Sequence, residues 1–160
     1  FKIEGRMKTA LYVATVARTY RKAIDDYMES EEKYRANMEY YKREIAKCTY
    51  RQFTTGFYFG KTDSESQIYD SNTYVKNYTY IGTVREVTPD GCVCFEQKNK
   101  FLVGEKLEAM GFDGTNIECE VQAIYDEEEN SMDSAPHPKQ KLRVKLDKEL
   151  ETGIILRRKE

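Results

Sequence analysis

Residues 80–97 read YIGTVREVTPDGCVCFEQ, two alternating runs joined by a turn. Tyr80 to Val87 alternates in the two-residue period of a strand with one buried face, and Cys92 to Gln97 is the return run. Pro89-Asp90-Gly91 supplies the residues a tight turn uses: a fixed φ, a side chain that bonds its own backbone, and freedom at positive φ. The pattern continues toward the C-terminus. Phe101 to Ala109 carries a tight corner at Gly104-Glu105, and Phe112 to Asn116 is a further turn. Ile117 to Tyr125, Lys141 to Leu146 and Gly153 to Arg157 read as three more strands. Short strands at this spacing predict a small closed or nearly closed antiparallel β-barrel, whose closure removes edges prone to aggregation.

Toward the N-terminus the period changes. Thr9 to Met28 lacks Gly and Pro, and Val13, Ala17, Tyr20, Ile24 and Tyr27 fall on one helical stripe that Leu11, Ala14 and Val16 widen. A second stripe runs through Tyr34, Met38, Tyr41, Ile45 and Cys48, with a polar break at 28–32 between them. Asn37 is an alternative cap for a shorter second helix starting at Met38. Both stripes read as core. Phe1 to Gly5 reads as a strand, so the expected fold is mainly β: a strand and two helices, then the barrel.

The chain has 26 basic and 28 acidic residues, so bulk charge does not make it a nucleic-acid or membrane binder. The charge is uneven: residues 1–50 carry 11 Lys/Arg against 8 Asp/Glu, whereas 111–160 carry 8 against 12. A basic face in the first part is compatible with that. Cys48, Cys92, Cys94 and Cys119 form no Cys-x-x-Cys pair and His137 is the only histidine, which argues against a structural zinc or iron–sulfur site. Reduced thiols and the lack of a long apolar run or signal peptide fit a cytoplasmic protein with no membrane partner.

The glycine-led strands and the Val-Gly-Glu corner resemble the six-stranded barrel of translation elongation factors, a module that docks partners. More of the chain is similar to one family. KIEGRMKTALYVATVARTYRKAID at 2–25, RQFTTGFYFGK at 51–61, EQKNKFLVGEKLE at 96–108 and APHPKQ at 135–140 resemble the C-terminal part of the U32 peptidases, or collagenase-like proteases. Ile3-Glu4-Gly5-Arg6 before Met7 has the look of a protease-cleavable linker, and the resemblance makes it native. It implies an α/β barrel-like catalytic domain upstream, which carries the family's cysteine-rich signature. Residues 1–28 would be the end of that domain, 29–50 a helical connection and 51–160 the C-terminal barrel. The implied function is non-catalytic: to assist substrate recognition or cover the catalytic domain of a peptidase. The alternative is an RNA-binding accessory domain of a relative that hydroxylates a tRNA uridine. The expected partners are the upstream domain and either a protein or peptide substrate or tRNA. The fragment is expected to be inactive alone and to hold no cofactor.

Candidate residues follow from chemistry. Glu4 and Arg6 flank a glycine at a strand end, where an intact α/β barrel gathers catalytic groups; Lys2 shares the face of Glu4. A structural ion pair is the simpler reading. Phe57 and Tyr58, with Phe53 and Phe59 and flanked by Arg51 and Lys61, suit base stacking or, alternatively, gluing the barrel to the catalytic domain. Lys98 and Lys100, with Gln97 and Asn99, form a cationic turn able to meet phosphate or an acidic peptide; a solvated hairpin is the bland alternative. The acidic run Asp126 to Asn130 reads as surface, and the two prolines around His137 as a shape-fixing loop.

Overall fold

A computed structural model describes residues 2–48, 55–62 and 77–160. Among these residues three helices lead: α1 (Ala10–Glu29), α2 (Glu31–Ala36) and α3 (Met38–Ile45). Ten strands follow: β1 (Tyr78–Thr83), β2 (Glu86–Val87), β3 (Val93–Glu96), β4 (Phe101–Leu102), β5 (Lys106–Met110), β6 (Asn116–Tyr125), β7 (Ser131–Met132), β8 (Ser134–Ala135), β9 (Lys141–Leu146) and β10 (Ile155–Lys159). The expectation of a mainly β chain with N-terminal helices holds. The N-terminal strand does not: residues 2–5 are irregular, and the chain turns with Lys8 N–H donating to the Gly5 carbonyl at 2.9 Å. Without a neighbouring strand to pair, an extended segment there has no ladder to join.

α1 ends at Ser30, whose extended backbone (φ −163°) breaks the helix and whose hydroxyl accepts from Lys33 N–H at 3.0 Å, capping α2. Asn37 divides α2 from α3. Its side chain does not cap; it donates to Asp26 Oδ2 at 3.0 Å. The same buried carboxylate accepts from Tyr41 Oη at 2.6 Å and lies 3.2 Å from Lys22 Nζ, so Asp26 ties α3 to α1. Burial pushes the Asp26 carboxyl up, but the hydrogen bonds from Tyr41, Lys22 and Asn37 outweigh it and hold it at about 2.

The main sheet has the order β1-β10-β5-β6-β9-β3-β2, with β7 pairing β6; β4 and β8 form a separate two-stranded sheet. The six-stranded closed barrel is therefore corrected: the sheet is open, and no ladder joins β1 to β2 or β3. The reason is local. β1 carries an irregularity between Tyr80 and Gly82, after which Val84 turns away to exchange backbone bonds with Ile154 and Gly153, and β2 has only two residues. Single bonds span the seam, Lys98 N–H to the Ile81 carbonyl at 2.8 Å and Asn99 Nδ2 to the Tyr80 carbonyl at 2.7 Å.

Inward residues alternate as expected on β3 and β9, and on β6 up to a register shift between Val121 and Ala123 that brings Ile124 inward; they build one core with Ile81, Phe95, Phe101, Leu107, Val121 and Leu156. Phe95 and Phe101 stack with centroids 5.8 Å apart. Gly82 lies directly on Phe95: a Cβ there would sit 2.4 Å from its Cδ2 and 3.2 Å from the Glu96 carbonyl oxygen. Gly82→Ala should therefore destabilise the domain by about 1–3 kcal/mol through overpacking. Urea unfolding checks this; an unchanged midpoint would mean that the ring is free to move aside.

The helices lie against the outer face of the β1-β10-β5-β6 half, with Leu11 packed on Met110 and Ile155. Here the reading of α1 as a core stripe is corrected in part: Leu11 and Val16, at its widened edge, are buried, but its centre is not. Its buried residues are Leu11, Thr15, Val16, Thr19 and Asp26, whereas Val13, Tyr20 and Tyr27 are 42%, 45% and 54% exposed. The second stripe holds better: Tyr41 and Cys48 are buried, and Tyr34, Met38 and Ile45 are half-buried.

Candidate nucleic-acid interface

The open seam leaves a groove of about 380 Å³ on the outer surface. Tyr80 and Thr83 form its β1 side, Arg85 and Glu86 come from the link and β2, and Cys94, Glu96, Lys98 and Lys141 from β3, the following turn and β9. Strand pairing brings these distant residues together, since β3 and β9 register Glu96 opposite Lys141. Pairing also turns Glu96 outward while Phe95 fills the core.

The electrostatics are dominated by cations around one carboxylate. Lys98 bonds Glu96 Oε1, and that bond, with the charges of Lys98, Lys139 and Arg85, holds the Glu96 carboxyl below its ordinary range. Among the described residues, neither Arg85 nor Lys139 enters an ion pair, and Lys141 makes only an exposed one with Glu127 at 3.5 Å. Lys139 is held at φ +68°, with its N–H donating to the Gln97 carbonyl at 2.8 Å. Gln97, fully buried, donates from Nε2 to the Ala135 carbonyl. The Ala135-Pro-His-Pro loop is thus pinned from below, in keeping with a shape-fixing role, and His137 is exposed. Unpaired lysine and arginine on a sheet surface are the groups that position a phosphate backbone.

A second charged cluster is buried where the helices meet the sheet. Glu44 of α3, 1% exposed, accepts from Arg18 Nη2 at 2.8 Å and Arg157 Nη2 at 3.0 Å through one oxygen, and from Lys47 at 2.7 Å and Asn116 at 2.8 Å through the other. Arg157, fully buried on β10, also reaches Glu108 of β5 at 2.5 Å. Arg18 further donates to the Gly111 and Thr115 carbonyls, both at 3.0 Å. These partners explain why a polar face of α1 points inward.

The structure separates the residues singled out in the sequence. Lys98 lines the seam groove and Lys100 is exposed beside it, its carbonyl accepting from Arg158 at 2.9 Å. Phe57 and Tyr58 stand 78% and 84% exposed on a separate turn, where Tyr58 N–H donates to Thr55, and Tyr58 meets Phe59 edge-on at 5.0 Å. Arg51 lies outside the described residues. Lys2 and Glu4 line another groove, of about 560 Å³ along α1, and pair at 3.5 Å with both side chains largely exposed; Arg6 is exposed on the turn that follows. Arg85, Lys139, Lys141 and the Glu44 cluster were not singled out, and only the strand register could have brought them forward. Among the described residues no group of three or more His, Cys, Asp or Glu could hold a metal ion, and no helix is long and apolar enough to cross a membrane.

The model for the peptidase family U32 C-terminal domain matches residues 76–157, and that for peptidase family U32 matches residues 1–68. The chain belongs to peptidase family U32. This U32 chain is 35% identical over 158 residues to a tRNA hydroxylation protein of Bacillus subtilis, a match covering 98% of the chain and 37% of that protein. A protein of Escherichia coli with the same descriptive name is 30% identical, over 97% of the chain and 33% of its own length. The U32 chain thus spans about a third of these relatives. Among solved structures, the C-terminal domain of a Geobacillus thermoleovorans protein assigned to the U32 peptidases is 28% identical, with a TM-score of 0.46 over 50% of this chain and 99% of that domain.

Proposed function

We propose that this chain is the RNA-contacting accessory region of a U32 protein that acts on tRNA, with the seam groove as its contact surface. The observation that carries the reading is the convergence of Arg85, Lys98, Lys139 and Lys141 around a groove holding only two carboxylates, Glu86 and Glu96. The names of the Bacillus and Escherichia relatives support it. The family's description keeps a peptidase reading in view, with this region assisting recognition of a protein substrate and Glu4 and Arg6 acting only in an intact protein. The two separate cleanly. Purified chain should bind tRNA at low salt, with log affinity falling linearly against log salt. Absence of binding at low salt, or casein hydrolysis by an intact protein that requires Glu4 and Arg6, would replace the RNA reading.

The division at residues 28 and 50 belongs to the same proposal, with 1–28 packing on the rest of the U32 domain. The exposed part of the α1 stripe supports it: Val13 and Tyr27 keep 42% and 54% of their surface open to solvent, and residues 2–4 lie along the same groove. Val13→Ser should change the unfolding free energy of this chain by under about 1 kcal/mol, since exposed positions contribute little. A loss well above that in thermal or urea unfolding would place the stripe in this chain's own core and sink the division.

A further inference from the structure

We infer that the seam groove takes one unpaired nucleotide whose base carries an exocyclic amino group, that is adenine, cytosine or guanine in preference to uracil. The inference rests on the RNA reading and specifies which part of an RNA enters. Four cations alone would suit any phosphate row, single or double. The groove is not uniformly cationic, however: Glu86 and Glu96 line it alongside Arg85, Lys98 and Lys141. Two carboxylates repel a run of phosphates laid across the groove, so the backbone belongs along its rim, where Arg85, Lys98, Lys139 and Lys141 are exposed and, among the described residues, Arg85 and Lys139 enter no ion pair.

Inside, the carboxylates need N–H donors. Lys98 bonds only Oε1 of Glu96, leaving Oε2 to accept, and among the described residues Glu86 has no ion pair at all. Amino groups of cytosine, adenine and guanine are the donors that side-chain carboxylates accept from, whereas uracil offers none exocyclically. In an A-form RNA duplex pairing takes one amino hydrogen, and the other of adenine or cytosine lies in a deep, narrow major groove that side chains cannot read, so a base that enters this groove is unpaired. Of the remaining lining, Cys94, Phe95 and Leu142 give the floor an apolar share suited to a ring face, and about 380 Å³ matches a small-ligand cleft.

The test is fluorescence anisotropy with labelled oligo-A, oligo-C and oligo-U of equal length and a blunt RNA duplex, at fixed salt. The expected result is binding of oligo-A and oligo-C about tenfold tighter than oligo-U, with the duplex weakest. Glu86→Ala with Glu96→Ala should bring the oligomers within about twofold of one another without weakening oligo-U, because the carboxylates discriminate and the cations attract. Glu86→Ala alone, at an exposed position, should shrink the preference in the same direction and guards against a poorly folded double variant. Equal affinity for oligo-U, tighter duplex binding, or a preference unchanged in Glu86→Ala would overturn the inference and leave tRNA binding standing. Tighter capture of an acidic peptide than of any oligomer would overturn it as well. Loss of all RNA binding, tRNA included, would remove the RNA reading itself.

Discussion

Glu44→Ala is expected to lower the free energy of unfolding by about 3–5 kcal/mol, the usual cost of breaking a buried charge cluster from one side. Among the described residues Glu44 is the only carboxylate that pairs with Arg18, Lys47 and Arg157 alike, and Arg157 is fully buried. Removing it leaves Arg18 and Arg157 with Glu108 and polar neighbours but without the charge between them. Lys106→Ala is the contrast: its partner Glu118 is exposed, and no measurable change is expected there. Acid should act in the same direction as the mutation. Burial pushes the Glu44 carboxyl up, but the hydrogen bonds and charges of Lys47 and Arg157 prevail and its pKa lies below the ordinary 4.5. A depressed folded pKa contributes stability that is fully present above 4.5 and is lost as pH falls through the lower value. Asp26, at about 2, adds to the same acid limb. Urea unfolding at a series of pH values should show wild-type stability falling on that limb, and the Glu44→Ala variant starting lower and falling less steeply. Parallel curves would mean that Glu44 does not carry the acid dependence.

The triple variant Arg85→Ala, Lys98→Ala, Lys141→Ala is the second large expectation, on binding rather than folding. Each phosphate contact contributes about 0.7–0.9 to the slope of log affinity against log salt, so losing three should flatten it by roughly 2–3 and weaken tRNA binding more than tenfold at low salt. The replaced side chains lie on the outer surface, so the unfolding midpoint should stay near wild type. An unchanged slope would show that RNA is held elsewhere, with the exposed Phe57–Phe59 turn the next place to mutate.

What could be read from the chain beforehand depended on how local the determining interaction was. Lys141 to Leu146 emerges with the bounds it was given, α1 within a residue of its expected ends, and the turn at Pro89-Asp90-Gly91 with Gly91 at φ +76°. Periodicity and turn chemistry fix such features within a few residues. Closure of the sheet depends on whether β1 can form a ladder with β3, and the irregularity near Gly82 that prevents it leaves only a glycine as its trace. The orientation of α1 escaped for a related reason. Its inward face carries Arg18, whose partners Gly111, Thr115 and Asn116 lie more than 90 positions away. No window of sequence contains them. The groove was visible only as Lys98, one of its cations.

That spacing sets an order of events during synthesis. Arg18 and Arg157 meet over one glutamate, so the nascent helices have no neutralising neighbour on β10 until nearly the whole described chain has emerged from the ribosome. Contacts of such long range form slowly and late. The helical hairpin would wait undocked, its polar face wet, and settle on the sheet only once β10 threads between β1 and β5.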